Sequence, residues 1–282
     1  MPVQIAKHID EALEALAAHH PSEPIAGGTD LMVEVNFGRK RLLNVVAIDR
    51  VPELKDLSLG PRVRVGAGVT YTRLLHDAAG QAALAEASRT VGSPQIRNTG
   101  TIGGNIATSS PAGDTLPVLA ALDATIVLRS ATGERRVPFS RFMTGPKRNE
   151  RHHDELVVAA EWDDAGTSQT FIKIGTRNAM VIAVASLALV IDRARKRVGV
   201  AIGSAGPTIL RAPEAERFAM GLLEERGWSK QLTASDAART EFGRLVAAAA
   251  KPIDDVRGTA AYRRHSLGVV AGRALARVGV IA

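Results

Sequence analysis

Ile5, Ile9, Leu13 and Leu16, with Lys7, Asp10, Glu11 and Glu14 between them, recur at helical spacing. They predict an amphipathic helix over residues 5–19, stopped by Pro21. Ile25-Ala26 reads as a short strand feeding a glycine turn, Ala26-Gly27-Gly28-Thr29-Asp30-Leu31, and Leu31 to Val35 then begins a second helix. The apolar run from Leu42 to Ile48 has the pattern of a buried strand, so residues 1–55 make one small β/α unit.

Leu57-Ser58-Leu59 and Val63-Arg64-Val65 alternate around Gly60-Pro61 as a hairpin. Thr70 caps a helix that carries Leu74, Leu75 and Ala78 on one face. Leu116 to Leu122 predicts a packed helix, Thr125–Leu128 and Arg135–Val137 a hairpin about Thr132-Gly133, and Leu156 to Trp162 a closing strand. Composition shifts at Asp163-Asp164-Ala165-Gly166-Thr167, which marks a domain boundary. Strands over 170–174, 181–191 and 198–202 follow, then helices over roughly 213–225, 234–250 and 258–278. The chain therefore reads as α+β, in units 1–55, 56–165 and 166–282.

Between the two hairpins lies S-P-Q-I-R-N-T-G-T-I-G-G-N-I-A-T-S-S-P-A-G-D-T-L-P, residues 93–117. Gly100, Gly103, Gly104 and Gly113 stand here among threonines and serines. Glycines let backbone approach a ligand closely, and free N–H groups beside hydroxyls suit an anion such as a diphosphate. The part from Thr99 to Asp114 has almost no bulky residue, which predicts a ligand-binding loop without core packing of its own. With the turn at 26–31 it would form two walls of one cleft, and Asn105 and Asp114 would suit ribose or ribityl hydroxyls.

The composition narrows the function. In 282 residues there is no cysteine, so thiolate metal sites and any iron–sulfur cluster held by this chain alone are excluded. Aromatic residues are 4%, too few for a base-stacking surface, and the basic residues behind the net charge of +7 are scattered; nucleic-acid binding is not expected. The apolar run Ala179 to Ile191 is shorter than a spanning helix needs, and the chain reads as soluble and cytoplasmic.

Other chemistries fail on spacing. Gly66-Ala67-Gly68 has Tyr71 where a dinucleotide fingerprint needs its third glycine, and reads as a strand end and turn. No P-loop occurs. His152-His153-Asp154 sits in a polar stretch with Arg148, Asn149, Glu150 and Arg151 and reads as a solvated loop; adjacent histidines lack the spacing for one helix face. Ser109-Ser110 has no nucleophile elbow around it. From the residues alone, the two glycine motifs point to a dinucleotide-like cofactor held without a Rossmann unit.

A-G-G-T-D-L at 26–31 and the long motif at 93–114 together resemble the FAD-binding subunit of the xanthine dehydrogenase and carbon monoxide dehydrogenase family of molybdenum hydroxylases. The likeness continues through Phe171-Ile172-Lys173, G-S-A-G-P-T-I-L-R-A (203–212) and D-D-V-R-G-T-A-A-Y-R-R-H (254–265), covering nearly the whole chain. It implies a vanillyl-alcohol-oxidase (PCMH)-type FAD domain of two α+β subdomains, then a C-terminal domain with a three-stranded antiparallel sheet and a helical bundle. It also implies partners: a large molybdopterin subunit that oxidises substrate and a small subunit with two [2Fe-2S] clusters, in a dimer of heterotrimers. Electrons then run through the clusters and FAD to NAD or another acceptor.

Carried over residue by residue, the resemblance places Pro24, Ile25, Ala26, Gly27, Gly28, Thr29, Asp30 and Leu31 on the diphosphate side. Thr101, Ile102, Gly103, Gly104 and Asn105 supply the second wall, and Thr108 and Asp114 match further FAD contacts. Val157 aligns with an apolar neighbour of the cofactor, and Lys173 with a lysine near the flavin whose charge would tune its potential. Val91 replaces an aromatic of the xanthine dehydrogenases, and Gly145-Pro146-Lys147-Arg148-Asn149 departs from the usual form. No catalytic acid–base residue and no metal ligand is implied for this chain. A stand-alone flavin reductase or oxidase on the same fold, and a basic binding module with degenerate cofactor loops, are the competing readings; the signature at 254–265 and the intact Gly103-Gly104-Asn105 weigh against them.

Overall fold

The computed structural model describes residues 2–78 and 80–278. The first unit runs β1 (Val3–Ile5), α1 (Ile9–Ala18), β2 (Ser22–Ile25), α2 (Leu31–Asn36) and β3 (Asn44–Ala47). Its three strands pair in parallel in the order β1-β3-β2, with Val45 and Val46 of the central strand buried. The helix over 5–19 begins later than its periodicity predicts, at Ile9, because Val3–Ile5 is drawn out to pair with Val45–Ala47.

The second unit contains β4 (Leu57–Ser58), β5 (Arg62–Gly66), α3 (Tyr71–Asp77), α4 (Ala82–Thr90), α5 (Pro94–Thr99), α6 (Ile102–Thr108) and α7 (Leu116–Ala121). It continues with β6 (Thr125–Ser130), β7 (Gly133–Pro138), the single turn α8 (Phe139–Phe142), β8 (Met143–Gly145), β9 (Arg148–Asn149) and β10 (Leu156–Asp163). Five antiparallel strands form one sheet in the order β4-β5-β10-β6-β7. Its central strand β10 is buried from Leu156 to Trp162, which is why it reads as a continuous apolar run.

The expectation of an unpacked loop over 99–114 is not met. Half of that stretch is helical, in the end of α5 and in α6, each helix capped by a hydroxyl: Ser93 accepts from the Ile96 N–H and Thr101 from the Gly104 N–H. Ile102 and Ile106 of α6 are fully buried, and the glycine beside them is what lets the helix sit close enough to bury them. A Cβ on Gly103 would lie 2.4 Å from the Cβ of Ala67.

The third unit is an antiparallel sheet of β11 (Gln169–Ile174), β12 (Ala185–Asp192), β13 (Arg197–Gly203) and β14 (Leu210–Arg211), with α9 (Pro213–Arg226), α10 (Asp236–Ala249) and α11 (Ala260–Val278). The three long strands are those predicted, and the two-residue β14 adds a fourth at the edge. β12 is buried along its whole length because both its faces are covered. Leu187, Leu189 and Ile191 face the helices, while Ala188 and Val190, with Phe171 and Ala201, face the core of the first two units. Burying each large aliphatic side chain stabilises by about 1.5–3 kcal/mol.

Several contacts bind this sheet to the second unit, among them one at α7 and one at α4. Gly199 of β13 leaves room for α7, since a Cβ there would lie 2.0 Å from the Ala121 carbonyl oxygen. Glu86 of α4 accepts from the Phe171 N–H (2.7 Å) and the Thr170 hydroxyl (2.9 Å) on β11. No helix among the described residues is long and apolar enough to cross a membrane.

Candidate cofactor site

β2 ends at the turn Ala26–Asp30, where Gly28 has φ +68°, a left-handed conformation that favours glycine. The N–H groups of Gly27, Gly28, Thr29 and Asp30 donate to no acceptor among the described residues. Four successive free donors ahead of a helix make a concave anion-binding surface. The resemblance puts the diphosphate at this turn, whereas the residues alone suggest free donors in the long glycine motif. In the long glycine motif the donors are consumed: Ile102 N–H donates to Val69 O (3.0 Å), Gly103 N–H to Ala67 O (2.9 Å) and Gly104 N–H to Thr101 Oγ1 (3.1 Å). The first motif supplies free hydrogen bonds; the second supplies close-packed shape.

The two motifs touch. A Cβ on Gly27 would lie 1.8 Å from the Thr99 carbonyl oxygen, so this glycine sets how near the walls stand. Beside that contact opens a cleft of about 310 Å³. Pro24, Ala26 and Gly27 form one side, Thr101, Gly103 and Gly104 the other, with Val157 between. Gly104 is exposed to it, and the nearest atom that a Cβ there would meet outside its own helix backbone is Thr101 Oγ1 at 3.2 Å. Nothing in the protein's own packing requires a glycine at 104.

The remaining predicted residues fall outside this lining. Ile25 ends β2, and Gly28, Thr29, Asp30 and Leu31 continue the donor turn beside the cleft. Asp30 Oδ2 accepts weakly from Thr108 Oγ1 (3.4 Å) and lies 3.9 Å from Lys147 Nζ, whose closer partner is Glu34 (2.7 Å). Ile102 points into the core. Asn105 turns its amide oxygen to the Thr115 hydroxyl (2.7 Å). Asp114 and Lys173 form a buried ion pair at 2.6 Å, and Lys173 also donates to the Thr90 carbonyl (3.1 Å). Burial pushes the Asp114 carboxyl up, against the opposing pull of the Lys173 ammonium. The lysine's charge is thus matched by a carboxylate rather than standing free.

Several lining residues escape the sequence reading. Ala67 and Gly68 follow a strand end, as Gly66-Ala67-Gly68 predicts, yet they also line the cleft. So do Thr99 and Ala107, which lie within the quoted motif, and Arg151, which was grouped with a solvated stretch. His152 and His153 are exposed as expected, and the described residues hold no cluster of three or more metal-ligating side chains.

Comparison with known proteins bears on this site directly. The family described as the FAD binding domain in molybdopterin dehydrogenase matches residues 1–161, and the CO dehydrogenase flavoprotein C-terminal domain matches residues 170–278. The chain belongs to this family. Its cofactor is FAD, and it is an oxidoreductase subunit of the molybdenum hydroxylase, medium-chain type. It is 36% identical to the nicotinate dehydrogenase FAD-subunit of Eubacterium barkeri, over 63% of this chain and 64% of that one. It is 31% identical to the glyceraldehyde dehydrogenase medium chain of Sulfolobus acidocaldarius, over 97% of this chain and 96% of that one. A structure of carbon monoxide dehydrogenase from Hydrogenophaga pseudoflava superposes with a TM-score of 0.86 at 26% identity, covering 100% of this chain and 98% of its counterpart. The geometry fits the cofactor: unpartnered donors stand ready for a diphosphate, and Gly104 leaves the space that a nucleotide would fill.

Proposed function

We propose that this chain receives electrons from the [2Fe-2S] clusters of a small partner subunit and delivers them through FAD to NAD or another acceptor. Substrate is oxidised on a large molybdopterin subunit, and the assembly is a cytoplasmic dimer of heterotrimers. The observation that carries the reading is the run of four free N–H donors at Gly27–Asp30 beside the cleft that Gly27 and the exposed Gly104 of α6 line.

Bound FAD supplies the redox chemistry at its isoalloxazine, and the protein contributes binding, orientation and electrostatics. On this reading residues 1–55 and 56–165 are the two FAD subdomains and 166–282 the C-terminal domain. Gly27, Gly28, Thr29 and Asp30 hold the diphosphate, while Pro24, Ile25, Ala26 and Leu31 shape the turn that presents them. Thr101, Gly103, Gly104 and Val157 define the opposite wall; Ile102 anchors that wall in the core, and Asn105 and Thr108 fix its far end. Asp114 and Lys173 join β11 to the region behind the cleft.

A stand-alone reductase or oxidase would need a substrate-side acid or base near the cofactor. The cleft lining offers no histidine, and its one carboxylate, Asp49, is exposed. The test is co-expression with large and small subunits. The purified complex should contain one FAD per copy of this chain, and substrate should reduce that flavin only in the complex. Flavin reduction by substrate in the isolated chain would favour the stand-alone reading.

A further inference from the structure

Two cations line the cleft, the exposed Lys55 and the half-buried Arg151. Arg151 lies between β9 and β10 and is half-buried, unlike its exposed neighbours His152 and His153. Its backbone N–H donates to Asn149 Oδ1 (3.0 Å), and its Nη1 donates to the carbonyls of His152 (3.1 Å) and Glu155 (2.8 Å). Those bonds hold the guanidinium in one orientation. Its Nε and Nη2 donate to no acceptor among the described residues.

Two of the three nearby carboxylates are already engaged elsewhere. Glu155 turns to Arg135 at 2.5 Å, and Glu23 pairs with Lys40 at 2.6 Å. Burial pushes the Arg151 guanidinium's pKa down, and the charges of Glu23, Glu155 and Asp154 offset this only in part. Around it the cleft walls are apolar: Pro24, Ile48, Ala107, Leu156 and Val157. A guanidinium held against apolar walls with no carboxylate bonded to it gains from a ligand that completes its hydrogen bonds. A guanidinium with free donors takes phosphate oxygens, or lies on or beside a purine ring.

The adenylate half of the dinucleotide brings a purine and a second phosphate, and FMN lacks both. The flavin half must exchange electrons with a partner and an acceptor, so it has to reach a protein surface. The adenylate carries no redox chemistry and suits an enclosed apolar cleft. We propose that Arg151 binds the adenylate half of FAD and so selects the dinucleotide over FMN. This rests on the FAD reading of the site.

The test uses the full chain stripped of flavin, titrated calorimetrically with FAD, FMN, ADP, AMP and adenosine. Arg151→Met should weaken FAD and ADP about tenfold or more, as expected for losing hydrogen bonds to a charged group. FMN affinity should stay within about twofold on the same grounds, since FMN lacks the adenylate. Loss confined to the phosphorylated ligands assigns the guanidinium to phosphate; loss that includes adenosine assigns it to the purine. Unchanged FAD and ADP affinity overturns the proposal. So does an equal loss for FMN, which would mean that Arg151 only supports the loop through its Nη1 bonds. Arg151→Lys, which keeps the charge, should recover part of the ADP affinity; affinity no better than that of Arg151→Met would also count against the proposal. Wild-type chain that binds neither FAD nor ADP defeats the FAD reading itself, whereas wild-type binding that is indifferent to position 151 defeats only this inference.

Discussion

Lys173→Met separates two roles for a lysine that the family resemblance places near the flavin. Lys173 Nζ lies 2.6 Å from Asp114 Oδ2, and the two side chains are only 8% and 5% exposed. Asp114 Oδ1 has no hydrogen-bond partner among the described residues, so the carboxylate already depends on Lys173 and the Thr90 hydroxyl (3.0 Å). Removing the lysine leaves a buried carboxylate with a single donor. Breaking a buried pair in this way costs about 3–5 kcal/mol, against about 0–1 for a solvent-exposed pair. Asp114→Asn in the same background removes the stranded charge, so the double variant should recover more than about 1 kcal/mol of that loss. The assay is urea unfolding followed by far-UV circular dichroism at one fixed FAD concentration, because bound ligand adds to apparent stability. A loss below about 1 kcal/mol in Lys173→Met would refute the buried-pair reasoning. So would a shifted flavin midpoint potential with stability intact, since the lysine's charge would then act on the cofactor and not on Asp114.

Gly27→Ala should lower FAD affinity and stability together, because its Cβ would meet the Thr99 carbonyl at 1.8 Å and backbone must move; unchanged melting and FAD binding would contradict the contact. Gly104→Ala should leave the flavin-free chain unchanged or more stable, by up to about 1 kcal/mol for a glycine replaced within a helix, while weakening FAD. Gly104→Val should abolish FAD retention, and stoichiometric FAD in that purified variant would argue against a ligand on α6. Acid should destabilise the sheet through Glu161, whose carboxyl is raised by burial but lowered further by Arg136 and Arg64, leaving it below its ordinary value. A depressed carboxyl contributes stability that is present above its unfolded pKa of about 4.3 and is lost as pH falls through the folded value. Melting temperature should therefore drop below about pH 4, and less steeply in Glu161→Gln; parallel profiles would exclude Glu161 as a cause.

Much of the fold was legible because its elements are locally consistent. The alternation at 57–65 and the apolar run at 156–162 each mark their strand, and Thr70 and Pro213 stand at the helix starts where capping and N-terminal proline preferences put them. The failures share one cause, tertiary contact. Val3–Ile5 is strand only because β3 lies beside it. The helices of 94–108 look like a loop when glycine is read as freedom, whereas Gly103 serves packing against Ala67. The site was half legible for the same reason. Both glycine motifs are visible in the chain, but which one keeps its N–H groups free depends on Val69 and Ala67, whose carbonyls consume those of α6. Arg151 was hidden by its polar neighbours, since nothing in a run of charged residues shows which one turns inward.

The central claim is that FAD lies between the turn at 26–30 and α6, with its diphosphate on the free N–H groups. A crystal structure of the FAD-loaded chain tests this most directly. The account predicts phosphate oxygens within hydrogen-bonding distance of the backbone nitrogens of Gly27 to Asp30, and nucleotide atoms in van der Waals contact with Gly104. Phosphates bound away from that turn, with its N–H groups facing only water, would contradict it.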